Sequence, residues 1–231
     1  MDTSRHRSYF DPSKHNKSIV IIGAGAVGSR VFEALINLGL RDITVYDSDI
    51  VESHNLANQI YTQEDMYESK VSGLDRWLRR KVGEHADGVH PTINFIRQYV
   101  EGDMRNAMQS IVFLLTDTMA SRREIATNCL HLNSRTELVV ETRMAVSHGN
   151  VNLFNPNSTR IYKLWCDSLI SDDVGEASMC GTSLSIGTTA SIIANLAVNM
   201  MINYLIIEDR RCVDYRADIM LNPVGIYTFN W

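Results

Sequence analysis

Ser18-Ile19-Val20-Ile21-Ile22-Gly23-Ala24-Gly25-Ala26-Val27-Gly28 is the stretch from which the rest of the chain is read. Its β-branched run at 19–22 predicts a short strand buried on both faces, and glycines follow at once. From Ala26 to Leu38, apolar residues recur at Val27, Val31, Ala34, Leu35 and Leu38, which is helical spacing, and Gly39 stands where a helix C-cap glycine belongs. Ile43 to Tyr46 predicts a second strand, which ends at Asp47. A strand–helix–strand unit of this length pairs its strands in parallel through a right-handed crossover.

The glycine spacing carries chemistry. Gly23 permits a tight turn, Gly25 lets backbone approach a ligand, and Gly28 lets helix and strand pack closely. The helix starting at Ala26 then offers free N–H groups and a partial positive charge to a phosphate. Asp47, about twenty residues on, is placed to accept hydrogen bonds from ribose hydroxyls. A glycine-rich turn with no ligand is the bland alternative. Strand, helix and Asp47 together favour a nucleotide, without separating NAD from ATP.

Periodicity predicts a helix over Ser69–Val82, strands over Thr92–Ile96 and Ile111–Leu115, and a helix over Ala120–Leu132. Leu138–Met144 reads as a strand with His148–Phe154 antiparallel to it. A long loop from Asn155 to Cys180 follows, then a helix over Leu184–Ile207 and short strands near Arg211–Met220 and Gly225–Phe229. The expected fold is α/β: a Rossmann-like sheet, mostly parallel, with helices on both faces and antiparallel strands at the C-terminal side. We expect one domain over 1–231 with an N-terminal arm, 1–17, turning at Asp11-Pro12.

With 22 basic and 27 acidic residues the net charge is -5, which argues against a nucleic-acid partner. Met1 to Lys17 has no apolar signal core, and Asn195, Asn199 and Asn203 interrupt the long apolar run, which suits a buried helix better than a membrane span. The expected compartment is cytoplasmic. Cys129, Cys166, Cys180 and Cys212 are scattered, with no Cys-x-x-Cys pair, so no structural zinc is expected. The seven histidines show no ligand spacing.

The loop Asp47-Ser48-Asp49-Ile50-Val51-Glu52-Ser53-His54-Asn55-Leu56-Ala57-Asn58-Gln59 resembles that of the ubiquitin-activating (E1-like) superfamily, which includes the ThiF and MoeB adenylyltransferases. Members typically read Asp-x-Asp-x-Val-x-x-x-Asn-Leu-x-Arg-Gln there. Lys70 matches the family's Gly-x-x-Lys lysine, and Leu115-Thr116-Asp117-Thr118 with Arg122 resembles its Thr-Asp-Asn…Arg segment. The likeness runs from about Arg5 to the end of the chain.

The resemblance implies ATP and magnesium as cofactors, and activation of the C-terminal carboxylate of a small ubiquitin-like or sulfur-carrier protein, by a homodimer. It implies a nucleotide site of Gly23, Gly25, Ala26, Gly28, Asp47, Asp49, Asn55, Asn58 and Gln59, with Asn55 and Gln59 as donors. Lys70 is the implied phosphate-directed ammonium and Asp117 the magnesium ligand; the bland alternatives are a solvated lysine and a helix N-cap carboxylate. Two residues depart from the pattern: Asn58 replaces an arginine and Thr118 an asparagine. Arg5 or Arg7 is a possible substitute cation. Cys180, before the long helix, is the first candidate for accepting an acyl group or sulfur, and Cys166 the second; an ordinary cysteine is the simpler reading of both. A non-catalytic E1-like subunit and an NAD-dependent oxidoreductase are the alternatives to an enzyme of this family.

Overall fold

Ile19–Ile22 forms β1 and all four of its side chains are buried. It pairs in parallel with β2 (Ile43–Tyr46) on one side and β4 (Ile111–Leu114) on the other. Side chains alternate across a strand, so Ile19 and Ile21 face one core and Val20 and Ile22 another. In this computed structural model, residues 2–83, 93–169, 186–207 and 214–231 are described.

The sheet has eight strands in the order β3-β2-β1-β4-β5-β6-β7-β8. β3 (Ile93–Ile96), β2, β1, β4 and β5 (Leu138–Met144) are parallel. β6 (His148–Phe154), β7 (Tyr215–Leu221) and β8 (Val224–Asn230) continue it antiparallel. β5 and β6 fall where the alternation of the sequence places them.

The first core holds α1 (Ala26–Asn37), α2 (Lys70–Val82) and α5 (Gly187–Ile206), through Val31, Leu35, Leu74 and Ile193. The second holds α3 (Met119–Ile125) and α4 (Thr159–Asp167), through Ile125, Trp165 and Cys129. α5 is long and apolar enough to cross a membrane, yet half of it is buried against α1, β5 and β6. Its asparagines at 195 and 199 lie on the exposed face.

Two expectations need correction. The segment from Asn155 is not all loop: α4 forms because Ile161 and Trp165, four residues apart, insert into the second core. α3 ends at Ile125, and a π-helical turn over Ala126–Leu130 takes up the rest of the expected helix. The N-terminal arm packs on the domain. Phe10 is 1% exposed, Thr3 abuts Gly39, and the Tyr9 hydroxyl donates to Asn203 Oδ1 at 3.1 Å. Cys180, Cys212 and the expected starts at Thr92, Leu184 and Arg211 lie outside the described residues.

Candidate nucleotide site

The glycine turn is built by exclusion. Gly23 has φ +98°, a conformation L side chains rarely adopt, and a Cβ there would lie 2.7 Å from the Leu115 carbonyl oxygen. A Cβ on Gly28 would lie 1.9 Å from the Gly23 carbonyl oxygen. One on Gly25 would meet nothing within 4 Å. Gly25 is also the N-cap of α1, and no side chain caps that helix. The first turn, from Ala26, therefore presents its N–H groups to open space.

Both peptide groups of the turn's second residue are held. The Ala24 N–H donates to Asp47 Oδ2 at 2.6 Å, and the Tyr61 hydroxyl donates to the Ala24 carbonyl at 2.8 Å. Asp47 Oδ1 accepts from the Asp49 N–H at 2.8 Å. Asp47 thus braces the turn as well as facing the site. Burial raises its pKa, while the Lys70 charge and the two amides pull the other way. Tyr61 is raised well above the usual phenol value, by burial first and by the carboxylates of Asp47, Asp65 and Asp49.

Lys70 opens α2 and is buried, its Nζ 2.7 Å from Asp49 Oδ2; it is not a solvated helix-face lysine. The Asp49 side chain is half exposed, so the ammonium stands at the mouth of the site. An open cleft of about 430 Å³ lies beside this pair, lined by Ser48, Asp49, Glu52, His54, Asn55 and Lys70. Asn55 has a local task as well. Its Oδ1 accepts from the Glu52 N–H at 2.9 Å, closing a capping box on the 3-10 turn Ser53–Ala57.

Several buried polar atoms around the turn meet no partner among the described residues: Ser29 Oγ, Arg30 Nε, Ser48 Oγ and Gln59 Oε1. A buried polar atom without a partner costs about 1–3 kcal/mol. Two of them belong to α1 and two to the loop after β2, the segments that carry the glycine turn's helix and the cleft.

Asp117 is exposed just beyond β4, on the strand whose end Gly23 touches. It is not the N-cap of α3. That role belongs to Thr118, whose Oγ1 accepts from the Ser121 N–H at 3.1 Å. Arg122 holds the peptide before Asp117: its Nε donates to the Thr116 carbonyl at 2.9 Å. Arg122 is paired with Glu141, which is fully buried on β5. Glu141 also accepts from Arg143 Nε at 3.1 Å, Asn152 Nδ2 at 2.6 Å and Trp165 Nε1 at 3.2 Å. Burial alone would push the Glu141 carboxyl up, but two guanidinium groups and these donors hold it below the usual range.

Sequence reading missed Tyr61, Glu141 and Arg30. Glu141 alone left a signal, as the one charge in the apolar run Leu138-Val139-Val140-Glu141. Burial raises the thiols of Cys129 and Cys166 above the usual cysteine value, so neither is poised as a thiolate. Among the described residues no group of three or more His, Cys, Asp or Glu side chains could hold a metal ion.

The ThiF family model matches residues 13–220. The chain belongs to the ThiF family. It is 24% identical over 219 residues to the ubiquitin-like modifier-activating enzyme ATG7 of Debaryomyces hansenii, covering 82% of this chain and 33% of that protein. It is 22% identical over 203 residues to ubiquitin-like modifier-activating enzyme 5 of Xenopus laevis, covering 82% and 50%. A probable molybdopterin-synthase adenylyltransferase of Porphyra purpurea is 26% identical over 210 residues, covering 87% and 52%. The chain thus spans about half the length, or less, of these ThiF-family relatives. Among solved structures, E. coli MccB superposes with a TM-score of 0.71 at 17% identity, covering 93% of this chain and 62% of that one. E. coli MccB with ATP gives 0.65 at 16% identity, covering 93% and 64%. These likenesses establish a shared fold.

Proposed function

We propose that this ThiF-family chain adenylylates the C-terminal carboxylate of a small ubiquitin-like or sulfur-carrier protein, or of a peptide, using ATP. The observation that carries the reading is the start of α1, which no side chain of the described residues caps, joined through Asp47 to the buried Lys70. Molybdopterin-synthase adenylyltransferase and ubiquitin-like modifier-activating enzymes among the relatives support the choice of reaction.

In this reaction a carboxylate oxygen attacks the α-phosphorus. A new P–O bond forms as the bond to the bridging oxygen breaks, and pyrophosphate leaves with that oxygen and its electron pair. The attacking carboxylate and the triphosphate repel each other, so fixed positive charge must stand where charge accumulates. The α1 amides and the Lys70 ammonium supply it. Asp47 holds the ribose and Gln59 offers an amide. Magnesium, when bound, adds Lewis-acid charge on the phosphate oxygens. One exposed carboxylate, Asp117, beside the phosphate turn fits a magnesium ion that keeps its waters and arrives with the nucleotide.

ATP–pyrophosphate exchange with small proteins or peptides ending in a free carboxylate is the test. No exchange with the true partner, and no ATP binding, rejects the reading. Asp117→Ala should slow exchange about a hundred-fold or more. Its melting temperature should stay near wild type, because the residue is exposed and does not cap α3. Asn58, where the family pattern has arginine, motivates the second reading of a non-catalytic subunit. Under that reading Asp117→Ala leaves the activity of the assembly intact. The proposed assembly is a homodimer, checked by light scattering of the purified chain.

A further inference from the structure

Arg30 is the feature that the site as described leaves unexplained. Its Nε is buried and meets no acceptor among the described residues, and no carboxylate among them pairs with it. Glu33 shares a groove of about 250 Å³ with it between α1 and α5, without an ion pair forming. A partly buried guanidinium with no counter-charge is costly to keep unless an anion arrives to meet it.

Its direction is given by its neighbours. Helical side chains lean toward the N-terminus, and Arg30 stands four residues after Ala26 on the same face of α1. The guanidinium reaches the start of α5, where a Cβ on Gly187 would lie 3.6 Å from Arg30 Nη2. The same Cβ would lie 3.3 Å from the Asn58 Cα and 3.1 Å from the Ala57 carbonyl oxygen. The Arg30 fork and Asn58 therefore flank one glycine, at the edge of the loop that carries Asn55 and Gln59.

The other basic candidates are elsewhere. The arm that carries Arg5 and Arg7 packs at the far end of α1, where His6 Nε2 lies 3.3 Å from the Leu38 carbonyl oxygen. Arg7 pairs with Asp11 within the arm.

We propose that Arg30 binds the outer phosphates of the nucleotide and meets the charge of the departing pyrophosphate. This rests on the reading of the site as an ATP site. A guanidinium suits the task because its planar fork donates two parallel hydrogen bonds to a phosphate.

Calorimetric titration of ATP with magnesium, and separately of AMP, into wild type, Arg30→Met and Arg30→Lys tests it. Arg30→Met should weaken ATP binding about ten- to a hundred-fold and leave AMP binding unchanged, because AMP lacks the outer phosphates. Arg30→Lys, which keeps the charge without the fork, should fall between. Without nucleotide, Arg30→Met should melt at or above the wild-type temperature, since it removes a buried Nε that meets no acceptor among the described residues. Equal loss of ATP and AMP affinity, or no loss of either, overturns the proposal while the ATP site stands. Failure of the wild type to bind ATP overturns both.

Discussion

Glu141→Ala is expected to lower the free energy of unfolding by about 3–5 kcal/mol, the usual effect of removing one partner from a buried ion pair. Two guanidinium groups, Arg122 and Arg143, would lose their shared counter-charge, and the Asn152 amide and the Trp165 indole N–H would each lose an acceptor. Domains of this size have about 5–15 kcal/mol in total, so the loss is a large share of the whole margin. Urea unfolding measures it; a loss under 1 kcal/mol contradicts the role assigned to the carboxylate. The pH dependence has a definite sign. The folded-state pKa of Glu141 is depressed, so its contribution is fully present above the ordinary glutamate value of about 4.3 and is lost as pH falls through the lower folded value. The urea midpoint of wild type should fall in strong acid more steeply than that of Glu141→Gln. Parallel curves would dismiss the idea.

Gly25→Ala and Gly28→Ala should fail in opposite ways. A methyl group on Gly28 meets the Gly23 carbonyl oxygen at 1.9 Å, which requires backbone to move. That substitution should cost on the order of 1–3 kcal/mol in stability and abolish nucleotide binding with it. A methyl group on Gly25 meets no atom of the described residues within 4 Å, and its φ of -75° is not of the left-handed kind that disfavours L side chains. Stability should change by no more than about 0.5 kcal/mol. The methyl enters the space in front of α1, so ATP affinity should fall at least about ten-fold. Thermal melts beside ATP titrations of both variants check the contrast; a Gly25→Ala protein that binds ATP normally places the phosphates elsewhere.

What the sequence showed of this fold is what has a period. β1 and β4 are unbroken apolar runs, α1 has its stripe, and β5 and β6 carry β-branched and apolar residues on either side of a short turn, so each appeared where expected. α4 escaped because nine residues with two buried anchors lie below the length at which helical period stands out. What forms it is the Trp165 ring, stacked on Phe154 of β6 with its centroid 5.0 Å away, and that contact between elements leaves no periodic mark in the sequence. The site divides in the same way. Gly23, Gly25, Gly28 and Asp47 were readable because their spacing is fixed by a single turn. Tyr61 and Glu141 act through partners 37 and 19 positions away, and spacing carries no trace of such pairs. The asparagine at 55 was assigned only an outward role, although half of its amide is committed to a capping box.

Ala24 is gripped at its amide by one side chain and at its carbonyl by another before any nucleotide arrives. A cradle already set does not have to be ordered by its guest, so little of the binding energy is diverted into freezing backbone. Capture of nucleotide should then be a single fast phase whose rate rises linearly with concentration. Exchange of the Ala24 amide with deuterated solvent should be slow in the free protein and scarcely slower in the complex.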